Sequence, residues 1–141
     1  MQKIISSSLQ ELFKNDPYAQ QLGFEIVDVS PGYAQVTAVV SEDTLNFAGS
    51  PHGGFLFSLA DYAFAVASNA HGRQAVATTV SIQFYQIARP GTRLRAQAQE
   101  THLTYRTGYY DMTVTTEDGL LIAKCQGMVY RTSREWESQK T

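Results

Sequence analysis

The chain has 141 residues, 43% of them apolar and 17% charged, with a net charge of −2 at neutral pH. That is the size and balance of one globular domain, and it excludes both a disordered chain and a general nucleic-acid binder. The single cysteine, Cys125, excludes an internal disulfide framework and a cysteine-cluster zinc site, and reads as a small buried hydrophobe in a strand.

Lys3 is followed only by Ile4 and Ile5 before three serines, too short a run for a targeting peptide, and no stretch spans a membrane. A cytoplasmic location and no membrane partner are therefore expected. Ser8 and Glu11 stand at capping-box spacing before Leu12 and Phe13, which predicts a short helix over 8–14. Asp16 before Pro17 predicts a second helical turn that stops at Gly23, so residues 1–22 form a short helical N-terminus. From Phe24 the apolar period falls to two. Residues 24–29 and 34–40 alternate around Pro31 and Gly32, a hairpin signal.

Residues 41–50 are a polar loop leading to the one long helix, 51–71. Ser50 is placed to cap it and Pro51 suits its first position. After Arg73 the pattern is sheet. Val76, Thr78, Val80, Ile82 and Phe84 form one face of a strand, and Arg89-Pro90-Gly91 turns the chain. Strands follow around 94–99 and 110–114, with a tight hairpin at Asp118-Gly119 and a last strand over 120–131. A polar tail, 133–141, is expected to be loose, with Trp136 its one adhesive residue. An antiparallel sheet must cover one apolar face, and only the long helix is apolar enough to do so. The fold class is α+β, a single domain over 1–141: a curved antiparallel sheet of five to six strands wrapped around one central helix.

That helix carries the chemistry. Its head leaves the amides of His52, Gly53 and Gly54 without intrahelical partners at the positive end of the dipole, suited to the oxygen of a reacting carbonyl. Asp61 is the one carboxylate on an otherwise greasy helix, so it is expected to be partly buried with a raised pKa. It lies eight residues after Gly53, about 12 Å along the axis, too far for both to touch one small carbonyl. If they cooperate, a second, antiparallel copy must bring its own Asp61 to this chain's Gly53, in a two-fold dimer.

Asn46-x-x-Gly49-x-x-His52-Gly53-Gly54, then Leu56-Phe57-Ser58-Leu59-Ala60-Asp61 and Ala63-Phe64-Ala65, resembles the hot-dog-fold acyl-CoA thioesterases of the PaaI (phenylacetate-pathway) type. The resemblance runs over about residues 11–131, through Asn15-Asp16, Leu22-Gly23, Arg89-Pro90-Gly91 and the final strand. It implies a homodimer with the helices side by side, often paired into a homotetramer. It also implies hydrolysis of a thioester between an acyl group and coenzyme A, with no metal and no cofactor beyond the coenzyme A of the substrate. Carried over, the Gly53 N–H polarises the carbonyl and Asp61 of the partner subunit is general base or nucleophile. Asn46 places the carbonyl or the water, and His52 shapes the approach. A related branch acting on hydroxybenzoyl-CoA carries Glu and, one turn later, Thr where this chain has Asp61 and Ala65. Thr78 or Thr79 on the neighbouring strand could supply that hydroxyl. Gly54 and Arg89 are further substrate-binding candidates, with Arg93, Arg95, Arg106 and Lys124 also available to coenzyme A phosphates. The expected acyl group is aryl-acetyl, such as phenylacetyl or hydroxyphenylacetyl.

Other readings compete. Asp61 could be a structural acid, His52 a loop tether and Asn46 a turn residue. His71 and His102 read as surface or turn residues. Hydration or dehydration of an enoyl thioester, or acyl-CoA binding without catalysis, are the functional alternatives.

Overall fold

The computed structural model describes residues 5–136. Helix α1 (Ser7–Lys14) and helix α2 (Pro17–Gln21) lead into hairpin β1 (Glu25–Ser30) and β2 (Tyr33–Val39). A short 3-10 turn (Glu42–Thr44) precedes the long helix α3 (Gly53–Asn69). Four strands follow: β3 (Arg73–Phe84), β4 (Arg93–Leu103), β5 (Thr107–Thr116) and β6 (Leu121–Glu135). They form one six-stranded antiparallel sheet in the order β1-β2-β4-β5-β6-β3, with β1 and β3 at the edges. Among the described residues no helix is long and apolar enough to cross a membrane.

Helix α3 lies across the inner face of this sheet. Alternation puts Ala34, Val36 and Ala38 of β2, Leu94, Ala96 and Ala98 of β4, and Met112 and Val114 of β5 on that face, all buried. The alanines among these residues let the helix come close to the sheet. On β6, Gly127 makes room for the fully buried Phe64: a Cβ there would stand 2.7 Å from its Cζ.

The C-terminal end of α3 is bound tightly. Asn69 Nδ2 donates to the carbonyls of Ala65 and Ala75 at 2.9 and 3.2 Å, and its Oδ1 accepts from Ala75 N at 2.9 Å and Trp136 Nε1 at 2.8 Å. Glu100 Oε1 accepts from Tyr110 OH at 3.0 Å and meets His71 Nε2 at 2.6 Å. Arg73 and Arg131 donate to the carbonyls of Tyr105 and Thr104 at 2.6 and 2.7 Å.

Several expectations change here. The tail is not loose from Ser133: β6 continues to Glu135, and Trp136 N donates to Gly72 O at 2.7 Å, because Asn69 supplies an acceptor for the indole. The rest of the expected tail (137–141) and of the helical N-terminus (1–4, with Lys3 and Ile4) lies outside the described residues. Helix α1 is capped by Ser6, whose Oγ accepts from Leu9 N, not through Ser8 and Glu11. Asp16 does cap α2, accepting from Ala19 N at 2.9 Å. On β3 a register shift between Ala77 and Thr79 interrupts the alternation. Val80, Ile82 and Phe84 pair with the inward positions Gly127, Cys125 and Ala123, but Val76 pairs with Tyr130 on the other face. His71 does lie in the turn after α3, and from there it meets Glu100.

Candidate active site

The loop before α3 is built by Asn46. Its Oδ1 accepts from Ala48 N at 2.9 Å and Ser50 N at 3.1 Å, and its backbone N–H donates to Ser50 O at 2.7 Å. This is the side-chain mimicry of a turn that Asn performs well. Pro51 bridges back to Leu45 as a strand-like contact, and His52 N donates to Thr44 O at 2.8 Å. Ser50 and Pro51 are therefore loop residues, not cap and first turn as the sequence had suggested.

The cap is His52. Its backbone is extended, and its Nδ1 accepts from Gly54 N at 2.9 Å. An accepting Nδ1 carries no proton, so the ring is the Nε2–H tautomer by hydrogen-bond geometry. The Gly54 amide is thereby engaged, and a Cβ at Gly54 would crowd that ring nitrogen at 3.1 Å. The amides of Phe55 and Leu56 donate to His52 O. Among the described residues Gly53 N–H has no acceptor. Of the three amides at the head of α3 it alone is left to meet a ligand. The cap clears that donor.

Asp61 lies one face round from the sheet. Gly54, Ser58, Asp61 and Ala65 recur at spacings of four, three and four, one stripe of the helix. Gly54 and Ala65 are exposed, Ser58 and Asp61 half-buried, in contrast to the buried positions on the other faces. So α3 is not enclosed all round; it presents one narrow stripe of small residues and a single acid. Burial raises the Asp61 pKa, and the negative charge of Asp16 raises it further. Cys125, across the inner face, is pushed up to about 11 by burial first and the Asp61 charge second, so its thiol stays protonated at neutral pH and is a poor nucleophile.

The remaining candidates lie apart. Thr78 Oγ1 donates to Met128 O at 3.1 Å. Thr79 pairs with Met128 on the outer face of the sheet, where it lines a cleft of about 420 Å³ with Ser81, Tyr109, Asp111 and Gln126. That cleft is across the sheet from Asp61. Arg89 is exposed in the loop between β3 and β4, with no ion pair among the described residues. His102 sits beside Tyr109, ring centroids 5.9 Å apart. Phe84 escaped the sequence reading as a site residue. Its ring tip lies where a Gly53 Cβ would be 3.3 Å away, a contact that no local pattern announces.

Residues 48–123 match the family model of the thioesterase superfamily. A protein of Archaeoglobus fulgidus is 42% identical over 125 residues, 89% of this chain and 81% of that protein. The acyl-coenzyme A thioesterase PaaI of Escherichia coli is 39% identical over 120 residues, 85% of this chain and 86% of that enzyme. The solved structure of E. coli PaaI superposes with a TM-score of 0.86 at 37% identity, covering 89% of this chain and 91% of that one. A Streptococcus mutans protein solved bound to acetyl CoA superposes with a TM-score of 0.76 at 28% identity, covering 79% of this chain and 90% of that one. With its long helix α3 against a curved six-stranded sheet, the chain belongs to the thioesterase superfamily, as an acyl-CoA thioesterase of the PaaI-type hot-dog group.

Proposed function

We propose that two copies of this thioesterase build each active site together and hydrolyse an aryl-acetyl-CoA, phenylacetyl-CoA or hydroxyphenylacetyl-CoA. The observation that carries this reading is the unengaged Gly53 N–H at the head of α3, with the only acid of that helix about 12 Å further along it. One chain offers a carbonyl-binding donor and a base that cannot meet.

Two features support a second copy. β3 is a 12-residue edge strand with no proline or lysine along it, and it is exposed over most of its length. Edges of this kind recruit another strand unless they are blunted. Beside it runs the uncovered stripe of α3, whose small residues allow a second helix to approach closely. A two-fold pairing of β3 with its copy sets the two helices side by side and antiparallel, which carries Asp61 of the partner subunit toward Gly53. A tetramer of two such dimers extends the same reading, as does a cytoplasmic location.

In the proposed route the thioester oxygen accepts from Gly53 N–H, whose pull is reinforced by the helix dipole as negative charge develops there. Asp61 of the partner subunit takes a proton from water as the water oxygen attacks the carbonyl carbon. The C–S bond then breaks, and coenzyme A leaves as its thiol with that proton. Direct attack by the carboxylate, followed by hydrolysis of the anhydride, ends in the same acid and thiol. Asn46 holds the loop with its Oδ1 and keeps Nδ2 for the carbonyl or the water. His52 acts through Gly54, by fixing the helix head. Arg89 is assigned to the coenzyme A phosphates. No metal or cofactor enters the route.

Free-thiol release over a panel of aryl and aliphatic acyl-CoAs tests the reaction. Loss of crotonyl-CoA absorbance without thiol would instead indicate a hydratase, and binding without thiol release from any member a non-catalytic module. Mixing Asp61→Asn with Gly53→Pro subunits tests the shared site. Proline suits the first helical position and His52 before it is already extended, while the Phe84 ring tip, 3.3 Å from the new Cβ, must give by a few tenths of an ångström. Each variant alone should be nearly inactive, and mixed dimers should regain one working site. No recovery from folded subunits shown to have exchanged would sink the shared-site model.

A further inference from the structure

Gly53 is tight against a neighbour in its own chain. A Cβ at that position would stand 3.3 Å from Phe84 Cζ, 3.6 Å from Cε1 and 3.8 Å from Cε2. The two Cε distances are nearly equal, so the ring points its tip at the glycine. Phe84 closes β3 and pairs with Ala123, which is fully buried on the helix-facing side. The ring lies over the head of α3. Phe84 nevertheless keeps 52% of its surface exposed. A large aromatic half uncovered in the single chain, beside the one unengaged amide of the helix, is poorly explained by packing within that chain's core.

Covalent geometry places the ring tip within about 6 Å of Gly53 N. A carbonyl oxygen accepting from that N–H sits about 2.9 Å from the nitrogen. An acyl chain that continues from that carbonyl on the side of the ring comes within van der Waals reach of it. We infer that Phe84 is a specificity-determining residue of the thioesterase, its ring forming the wall against which the acyl group packs, and that an aromatic acyl group is favoured there. Aromatic pairs in edge or offset contact gain more than their buried area alone supplies, which a flexible alkyl chain cannot match. This inference rests on the Gly53-centred reading above.

The test is the ratio of kcat/KM for phenylacetyl-CoA to that for hexanoyl-CoA. Phe84→Leu should lower that ratio about three- to tenfold, the range expected for one aromatic pair. Phe84→Tyr keeps the ring and should keep the ratio. Phe84→Met, flexible and apolar, should lower it as Leu does and supplies a second reading if the Leu variant does not fold. Thermal melting and oligomeric size serve as controls, since a merely structural role would depress both substrates together and leave the ratio alone. An unchanged ratio in folded Leu and Met variants overturns the role of Phe84. If Gly53→Pro turns over normally, the carbonyl-binding reading fails first, and the inference with it. If Gly53→Pro is inactive and the ratio does not move, Phe84 alone is wrong.

Discussion

The two ends of α3 are built on opposite principles. At the C-terminal end Asn69 makes four hydrogen bonds, to Ala65, Ala75 twice and Trp136, while Glu100 joins His71 to Tyr110. At the N-terminal end a donor is left over, an aromatic ring stands half in solvent, and Phe47 is wholly exposed on the loop. Buried polar groups without partners are costly, so a network this complete holds the helix at one end in a single position. Groups left unengaged at the other end can exchange water for a ligand without breaking anything. The lesson is a division of labour: the anchored end holds the helix in place, and the open end keeps the groups that are free to meet a ligand.

The sharpest way to break this contrast is at Asp61, midway along α3 and outside the anchored network. Asp61→Asn is isosteric and should leave the fold intact while lowering kcat at least about 100-fold, the lower range for a general base; steady-state thiol release measures it. The same variant should melt higher at neutral pH. Burial raises the Asp61 pKa, so ionisation works against the folded state as pH rises through the unfolded and then the folded pKa. Asn escapes that loss, and its advantage should vanish once pH falls below the ordinary carboxylate range, where Asp61 is protonated in both states.

At the anchored end the pattern should reverse. Asn69→Ala strands Trp136 Nε1 and both backbone groups of Ala75. The expected cost is on the order of 2–4 kcal/mol, a fall in Tm of roughly 5–15 °C. Turnover per folded molecule should stay within about threefold of the parent, since acid–base chemistry is untouched. A large loss of kcat at full folding would show that the two ends are not separable. Between them, Gly127→Ala pushes a methyl to 2.7 Å from the buried Phe64 ring. Overpacking there should cost about 1–3 kcal/mol by denaturant titration.

The smallest effect sharpens the contrast further. Asp16 adds to the raised Asp61 pKa and also caps α2. Asp16→Asn keeps a capping side chain and removes the charge. Activity that needs ionised Asp61 falls as pH drops through its pKa, so the acidic limb of the pH–rate profile should move to lower pH, modestly, because burial is the larger cause. A limb that stays put, or moves up, would remove Asp16 from the electrostatics of the site.

Much of this architecture is legible in the chain. The change of apolar period at Phe24, the greasy run that becomes α3 and the alternation after Arg73 depend on neighbours two to four residues apart, so sequence alone determines them. The motif from Asn46 to Asp61 is equally local, and it singled out the donor and the acid. The spacing of Gly53 and Asp61 on one rigid helix is local too, because helix rise is a constant of the backbone, and two chains follow from it only if the two groups cooperate. Tertiary structure decided what depends on contacts between distant segments. His52, not Ser50, caps α3 because Pro51 is drawn to Leu45. Trp136 is held because Asn69, 67 positions earlier, offers an oxygen. The shift at Thr78 turns Val76 away from the face of Val80, an outcome set by pairing with β6. Phe84 reaches Gly53 across 31 positions of sequence, a meeting that requires β3 to run back along the helix. Local periodicity is written in the chain; who stands opposite whom is settled only when the sheet closes around the helix.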